Sequence, residues 1–296
     1  MALLPELADW LERSRGLDRL VGPVHAKVLA AARPGRVRDV VSGSWLGHPA
    51  HPFLVATPIG CWTSAHLLDL TGPKDAARTL IGAGVVSALP TAITGLSDWA
   101  DTTGSEQRVG AAHLAFNTAA TACYAASWWA RRRGRSGVGT AVAGGVLATT
   151  AGWLGGHLAY GLGVGVDTNA FAGGPVDWTP LDGEPPVGAD PVAAQADGVA
   201  LVATRQGSVT RVLADRCSHR GGPLSEGHVD DGCLVCPWHA SRFDVVTGAV
   251  RRGPAVAPQP TYQVRQDASG LAVRRDEPRT LRTNAARARP HQHLKS

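Results

Sequence analysis

Cys217-Ser-His-Arg-Gly-Gly-Pro-Leu224 and, a short interval later, Cys236-Pro-Trp-His-Ala-Ser-Arg-Phe-Asp244 are the two stretches on which the reading of this chain turns. The first holds a C-x-H pair, Cys217 and His219, and the second a C-x-x-H pair, Cys236 and His239. Placed on separate loops, they can offer two thiolates to one iron and two imidazoles to another. Thiolates suit a buried ferric ion, whereas neutral imidazoles are weaker donors and leave the second iron easier to reduce. Gly221 and Gly222 let backbone amides approach such a centre, Trp238 can shield it, and Ser241 can donate a hydrogen bond towards a sulfur. The competing chemistry is tetrahedral zinc on Cys233-x-x-Cys236 with Cys217 and a histidine. A zinc site needs no histidine two residues after the first cysteine and another three after the second. Cys233 is expected to be a small buried residue with no ligand role.

Short β-rich runs, Gly198–Ala203 and Val209–Leu213, precede these loops. A hairpin is expected from Tyr262–Arg265 and Leu271–Arg274 around Asp267–Gly270. Residues 179–276 therefore read as a small all-β domain. Before it, Gly161-Leu-Gly-Val-Gly165 and Gly173-Gly-Pro175 break the helical pattern, which makes residues 166–178 a linker. After it, residues 277–296 form a basic tail without acids from Arg279 onward, expected to be disordered.

The first half has a different period. Leu4, Leu7, Trp10, Leu11 and Leu17 recur at helical spacing, so residues 1–45 read as an amphipathic helical segment. Within residues 46–165, four apolar stretches (Pro52–Leu70, Leu80–Trp99, Val109–Ala130 and Val138–Leu158) each have about the 20 residues that cross a bilayer as a helix. Trp45, Trp99, Trp128 and Trp129 stand at segment ends, where an interfacial belt would place them. Gly152-x-x-x-Gly156 offers a surface for close helix approach. A soluble helical bundle is the alternative, but its helices would carry a charged face, and these stretches hold almost no charge.

The formal net charge of +5 is concentrated near the N-terminus, in Arg131-Arg132-Arg133-Gly134-Arg135 and in the tail. Such blocks point to a membrane surface, with no nucleic-acid partner expected. Five irregularly spaced cysteines are no disulfide framework. The N-terminus lacks a basic region followed by an apolar run, so no cleaved export signal is expected.

The two cluster motifs, with Thr247-Gly248 and Gly253-Pro254-Ala255, resemble Rieske ferredoxins over about residues 175–276. The resemblance implies one [2Fe–2S] cluster on Cys217, His219, Cys236 and His239. It also implies positions at which this chain departs from the Rieske proteins of respiratory quinol oxidases. Gly222 and Trp238 stand where those carry disulfide-forming cysteines, and Phe243 stands where they carry a tyrosine hydroxyl. Fewer donors imply a lower potential, nearer that of dioxygenase-type ferredoxins. No two-histidine-one-carboxylate set follows His239, so an oxygenase catalytic subunit is not expected. Gly47-His-Pro-Ala-His-Pro-Phe53, Leu67-Leu-Asp-Leu70, Leu96-Ser-Asp-Trp99 and Gly155-Gly-His-Leu158 resemble an uncharacterised family of four-helix bacterial membrane proteins over about residues 46–166. The expected architecture is multi-domain: a four-helix transmembrane bundle, all-α, followed by an all-β Rieske iron–sulfur domain.

An up-down bundle puts His48, His51, His113 and His157 at one membrane face, where uncompensated histidines are costly. The sharper reading has His113 and His157 ligating haem b or another metal, with His48 and His51 as alternative ligands. The plainer one has them hydrogen-bonding with Asp98, Asp101 and Asn117; a quinone pocket fits the same place. The lack of a disulfide in the cluster loops and of a twin-arginine signal favours a cytoplasmic β domain on a multi-pass protein of the cell membrane. The expected function is a membrane-anchored one-electron carrier, an oxidoreductase component between a soluble reductase and an electron acceptor, with the bilayer as its other partner. No small-molecule substrate is identifiable. The alternative is a redox-sensing regulator whose cluster state controls a partner.

Overall fold

Pro49 and the glycines around it break the chain into helices whose ends are set by backbone geometry. The computed structural model describes residues 3–268 and 270–275. The basic tail expected over 277–296 lies outside them. The chain divides into two units, Met1–Asp167 with Arg252–Ala257, and Thr168–Arg251 with Pro258–Ser296.

The first unit opens with α1 (Leu3–Arg13), α2 (Asp18–Ala31) and α3 (Arg36–Ser42). α3 ends at Gly43, whose φ of +87° and closeness to the His48 carbonyl admit no side chain. Four long helices follow: α4 (Ala50–Thr71), α5 (Lys74–Trp99), α6 (Ser105–Arg132) and α7 (Val138–Gly156), the last running on through a π-turn, His157–Gly161. α1 lays Leu7 and Leu11 against Val109 of α6 and Leu154 of α7.

This unit is apolar on the outside. Phe53, Ile59, Leu67, Val86, Leu89, Ile93, Val142 and Val146 are exposed, while the ion pairs Arg38–Asp101 and Arg131–Asp69 are buried. A soluble bundle has the opposite polarity. Four membrane-crossing helices are expected from sequence, but among the described residues two meet the length and apolarity needed: Lys74–Trp99 and Val138–Gly161, with only 22% of each most apolar window buried. α4 and α6 fall short because His51, His66, Pro58 and Asn117 dilute them. Trp99 also departs from the expected belt; it is buried, and its indole N–H donates to the Gln107 carbonyl (3.1 Å). Nor do Gly152 and Gly156 make the close approach. Space above both is open, and the neighbouring rings instead meet Gly144 and Gly155, a different face of α7.

The bundle contains an internal repeat. α4 aligns with α6 at an offset of 62 and α5 with α7 at 60, so that His51, Cys61 and Trp62 answer to His113, Cys123 and Tyr124, and Gly84 and Gly95 to Gly144 and Gly155. The mates meet each other. His51 and His113 ring centroids lie 6.3 Å apart with planes crossed at 81°, Trp62 and Tyr124 stack at 4.2 Å, and Asp69 pairs with Arg131 through two 2.6 Å hydrogen bonds. Mates that meet at three levels fit a two-fold relation, in which a residue on the axis touches its own equivalent, and the two helical hairpins are described by a pseudo-two-fold between α4 and α6.

The second unit holds two antiparallel sheets. One has the order β1-β10-β9-β4-β3-β2, from β1 (Thr179–Pro180), β2 (Val192–Ala196), β3 (Val199–Gln206), β4 (Val209–Ala214), β9 (Thr261–Asp267) and β10 (Gly270–Arg275). Leu201, Ala203, Val212, Tyr262 and Val273 form its core. The other runs β5 (His228–Asp230), β6 (Cys233–Val235), β7 (Arg242–Asp244) and β8 (Val250–Arg252). The loop after β4 and the loop between β6 and β7 carry the two cysteine–histidine pairs.

Candidate metal centre

The two loops are built alike. In the first, the Cys217 amide donates to the Gly222 carbonyl (2.9 Å) and the Gly221 amide to the Cys217 carbonyl (2.8 Å). In the second, Cys236 donates to Ser241 (2.9 Å) and Ala240 to Cys236 (3.0 Å). The fifth residue of each loop has a left-handed backbone, φ +76° at Gly221 and +58° at Ala240. Each turn aims two further amides at its cysteine sulfur, those of His219 and Arg220 at Cys217 and those of Trp238 and His239 at Cys236. Backbone N–H groups so aimed stabilise negative charge on sulfur.

Cys217 and Cys236 are buried, 1% and 2% exposed, and their side chains hydrogen-bond to each other. That bond, foremost, pushes the Cys217 thiol well up, with burial adding to it. The same bond lowers Cys236 to about 7, against burial and with help from the Trp238 and His239 amides. His219 and His239 pair with each other, rings edge to face at 5.1 Å, and both are half-buried. Trp238 is 57% exposed and its ring lies against Gly222, where a Cβ would come within 2.9 Å of the indole and 3.2 Å of the Cys236 sulfur. The two positions that the resemblance sets against disulfide cysteines are thus in contact. Ser241 is fully buried, and Cys233 is buried within β6.

Among the described residues, no three His, Cys, Asp or Glu side chains converge closely enough for a single metal ion. A thiol pair and an imidazole pair, each close within itself, fit two irons and not one tetrahedral zinc.

Residues without a motif signature hold the first loop. Gln259, 2% exposed, accepts from the Ser218 amide (3.0 Å) and donates to the carbonyls of Ala214 (2.7 Å) and Arg216 (2.6 Å). Asn169 donates to the Arg216 carbonyl (2.6 Å) and the Thr168 hydroxyl to that of Cys217 (2.7 Å), both from the stretch read as linker. A lone buried amide far along the chain leaves no pattern in sequence.

The bundle histidines are arranged otherwise than expected. His113 and His157 do not meet. His157 binds Glu12 through Nε2 (2.8 Å) and stacks on Trp153, whereas His113 faces His51. His48 is exposed. Of the polar partners expected for them, Asn117 reaches His113 (3.1 Å), while Asp101 pairs with Arg38.

A family model described as Rieske [2Fe–2S] domain matches residues 178–263, and one described as predicted membrane protein (DUF2231) matches residues 47–168. The anthranilate 1,2-dioxygenase ferredoxin subunit of Burkholderia cepacia is 37% identical over 90 residues, 30% of this chain and 83% of the relative. The 3-phenylpropionate/cinnamic acid dioxygenase ferredoxin subunit of Escherichia coli (strain K12) is 37% identical over 62 residues, 21% of this chain and 58% of that protein. Pheophorbide a oxygenase of Oryza sativa subsp. japonica is matched over only 9% of its length. Among solved structures, the ferredoxin of carbazole 1,9a-dioxygenase from Nocardioides aromaticivorans IC177 is 31% identical, covering 30% of this chain and 86% of that one at a TM-score of 0.29. The chain belongs to the Rieske [2Fe–2S] family, its Rieske domain following a helical region that resembles the DUF2231 predicted membrane proteins.

Proposed function

We propose that this protein is a membrane-anchored electron carrier in which Cys217 and Cys236 hold one iron, and His219 and His239 the other, of a single [2Fe–2S] cluster. The observation that carries the reading is the pair of matched loops, each aiming two amides at a buried cysteine sulfur and each bearing one half-buried histidine. When bound, such a cluster supplies one-electron chemistry at a potential tuned by hydrogen bonds to its sulfurs. The chain's own part is to bury the thiolates, order the amides around them and leave the imidazole edges accessible to a partner. Gly222 keeps side-chain bulk away from the Cys236 sulfur, and Trp238 covers that side.

The relatives are named as ferredoxin subunits of dioxygenases. That origin favours a soluble reductase as electron donor and an oxygenase-type or membrane acceptor. Cys61, Cys123, Cys217, Cys233 and Cys236 are all outside disulfides, which agrees with a reducing, cytoplasmic side for this domain. The exposed apolar exterior supports a multi-pass anchor, with α5 and α7 toward lipid and the polar mates of α4 and α6 turned to the axis.

Low-temperature EPR of the full chain purified in detergent, oxidised and dithionite-reduced, tests the assignment. Reduction is expected to give the low-average-g signal of a histidine-ligated [2Fe–2S] cluster, absent from Cys217→Ser and altered or absent in His239→Ala. A silent protein containing zinc instead of iron would sink it.

A further inference from the structure

We propose that the pseudo-two-fold axis of the helical unit is a second metal site, at which His51 and His113 ligate one non-covalently held haem iron through their Nε2 atoms. Along α4 and α6 the repeat has kept few identities, and His51/His113 is one of them; along α5 and α7 it has kept the glycine under each ring, Gly95/Gly155. A Cβ at Gly95 would lie 2.9 Å from the His51 ring, and one at Gly155 3.0 Å from that of His113. Each ring is also anchored identically. His51 Nδ1 lies 2.9 Å from the Thr91 carbonyl and His113 Nδ1 2.8 Å from the Ala151 carbonyl, mates at the same offset as the glycines. A carbonyl accepts only from N–H, so both rings carry their proton on Nδ1 and present a lone pair at Nε2. That is the tautomer and the outer-shell bond of a metal-ligating histidine.

The spacing agrees. With metal–nitrogen bonds of about 2.0–2.1 Å and a ring centroid about 1.2 Å behind each nitrogen, two trans imidazoles place their centroids about 6.4 Å apart. The observed separation is 6.3 Å, with ring planes crossed at 81°. Two ligands alone do not complete a centre. Among the described residues no third His, Cys, Asp or Glu joins them, so a planar macrocycle supplying the other four donors is the group that fits, and haem iron takes two axial imidazoles. Asn117 Nδ2 lies 3.1 Å from His113 Nε2 but also donates to the His113 carbonyl (3.0 Å), so its amide keeps an acceptor when Nε2 is taken. The other bundle histidines lack this arrangement. The mate of His157 is Ser97 and that of His66 is Trp128. His66 Nε2 is 3.0 Å from the Tyr124 hydroxyl.

The test is haem content by pyridine haemochrome, metal content and EPR on the full chain produced in haem-replete cells, followed by titration of haem-free protein with hemin. The expected result is about one haem per chain with a low-spin bis-imidazole spectrum. It should fall at least tenfold in His51→Ala and in His113→Ala while the cluster signal persists as proof of folding, and it should be unchanged in His157→Ala. Protein that neither carries haem nor shifts the hemin spectrum overturns the proposal, as does haem that survives both substitutions. A zinc or copper ion lost with both histidines, in place of haem, also overturns it. Wild-type titration needs no variant, and the cluster signal is read separately, so failure here is distinguishable from failure of the electron-carrier reading.

Discussion

Ala240 and Gly221 occupy the same place in two loops of the same design, yet only one of them is glycine. A left-handed backbone costs an L-residue roughly 1–2 kcal/mol, and Ala240 bears that strain at φ +58°. Ala240→Gly should stabilise the Rieske domain slightly, by about 0.5 kcal/mol after the added freedom of the unfolded chain is subtracted. Gly221→Ala should destabilise it by about 1 kcal/mol, the new Cβ also displacing the Arg216 side chain (3.0 Å). Thermal unfolding of the two variants, read against wild type, would refute the equivalence of the loops if the signs came out the same. Gln259 is the other residue with a clear consequence. Gln259→Leu strips the Ser218 amide of this acceptor and the Ala214 carbonyl of this donor, while the Arg216 carbonyl keeps Asn169, at about 1–3 kcal/mol for a buried group stranded. The expected outcome is a melting temperature lower by several degrees together with partial loss of cluster on purification; full cluster retention would assign Gln259 no positioning role. The four candidate ligands were legible in sequence because their spacing is tied to two tight turns. Gln259, Asn169 and Thr168 were not, because one side chain meeting one main-chain group from a distance imposes no local pattern.

At the scale of elements, the turn from β7 to β8 shows how a carboxylate can hold a loop in shape. Asp244 Oδ1 accepts from the Val246 amide (3.0 Å) and from the Thr247 amide and hydroxyl (2.9 Å each), and Oδ2 accepts from Arg251 (2.7 Å). Burial pushes the carboxyl up, but the hydrogen bonds from Arg251, Thr247 and Val246 outweigh it and hold the group down to about 2. Its folded pKa lies below the unfolded value of about 3.9. The stabilisation is therefore fully present above pH 4 and is lost as pH falls from about 4 towards 2. Unfolding followed across that window should steepen for wild type and flatten for Asp244→Asn, with parallel curves counting against the turn as a source of acid lability. The helices teach a different lesson about legibility. Each apolar stretch became a helix, since length and apolarity are local, but the repeat went unseen. Along α4 and α6, Ala50/Ala112, His51/His113 and Cys61/Cys123 are the identical pairs, while Trp62 against Tyr124 and Asp69 against Arg131 conserve a contact and not a residue. The glycine notch was misplaced for a related reason. Gly152 and Gly156 make a familiar motif, whereas the notches in use, Gly144 and Gly155, are three turns apart and answer to rings on α6.

On the scale of the whole molecule, the distribution of charge decides what environment the helical unit can tolerate. Apolar side chains face outward while the side chains of Asp69 and Arg131, each 5% exposed, meet on the axis. At 1.5 Å per residue, the rise from His51 to Asp69 puts this ion pair about 27 Å along the axis from the histidine pair. The pair then sits at one end of the bundle, with the histidines at the other. Removing one partner leaves a buried charge uncompensated, which costs about 3–5 kcal/mol. Asp69→Ala and Arg131→Ala should each lower the melting temperature of the detergent-solubilised chain sharply, and the double alanine variant should cost less than the sum of the singles. The pseudo-two-fold makes a stronger demand. Exchanging the two residues, Asp69→Arg with Arg131→Asp, moves each charge onto its mate's position, so the bidentate geometry can be rebuilt about the same axis. The exchanged variant should recover at least half of the melting temperature lost by either single charge reversal. If it melts no higher than the single reversals, the two hairpins are not equivalent at this level, and the axis would be a chance alignment of helices and not the symmetry of a repeat.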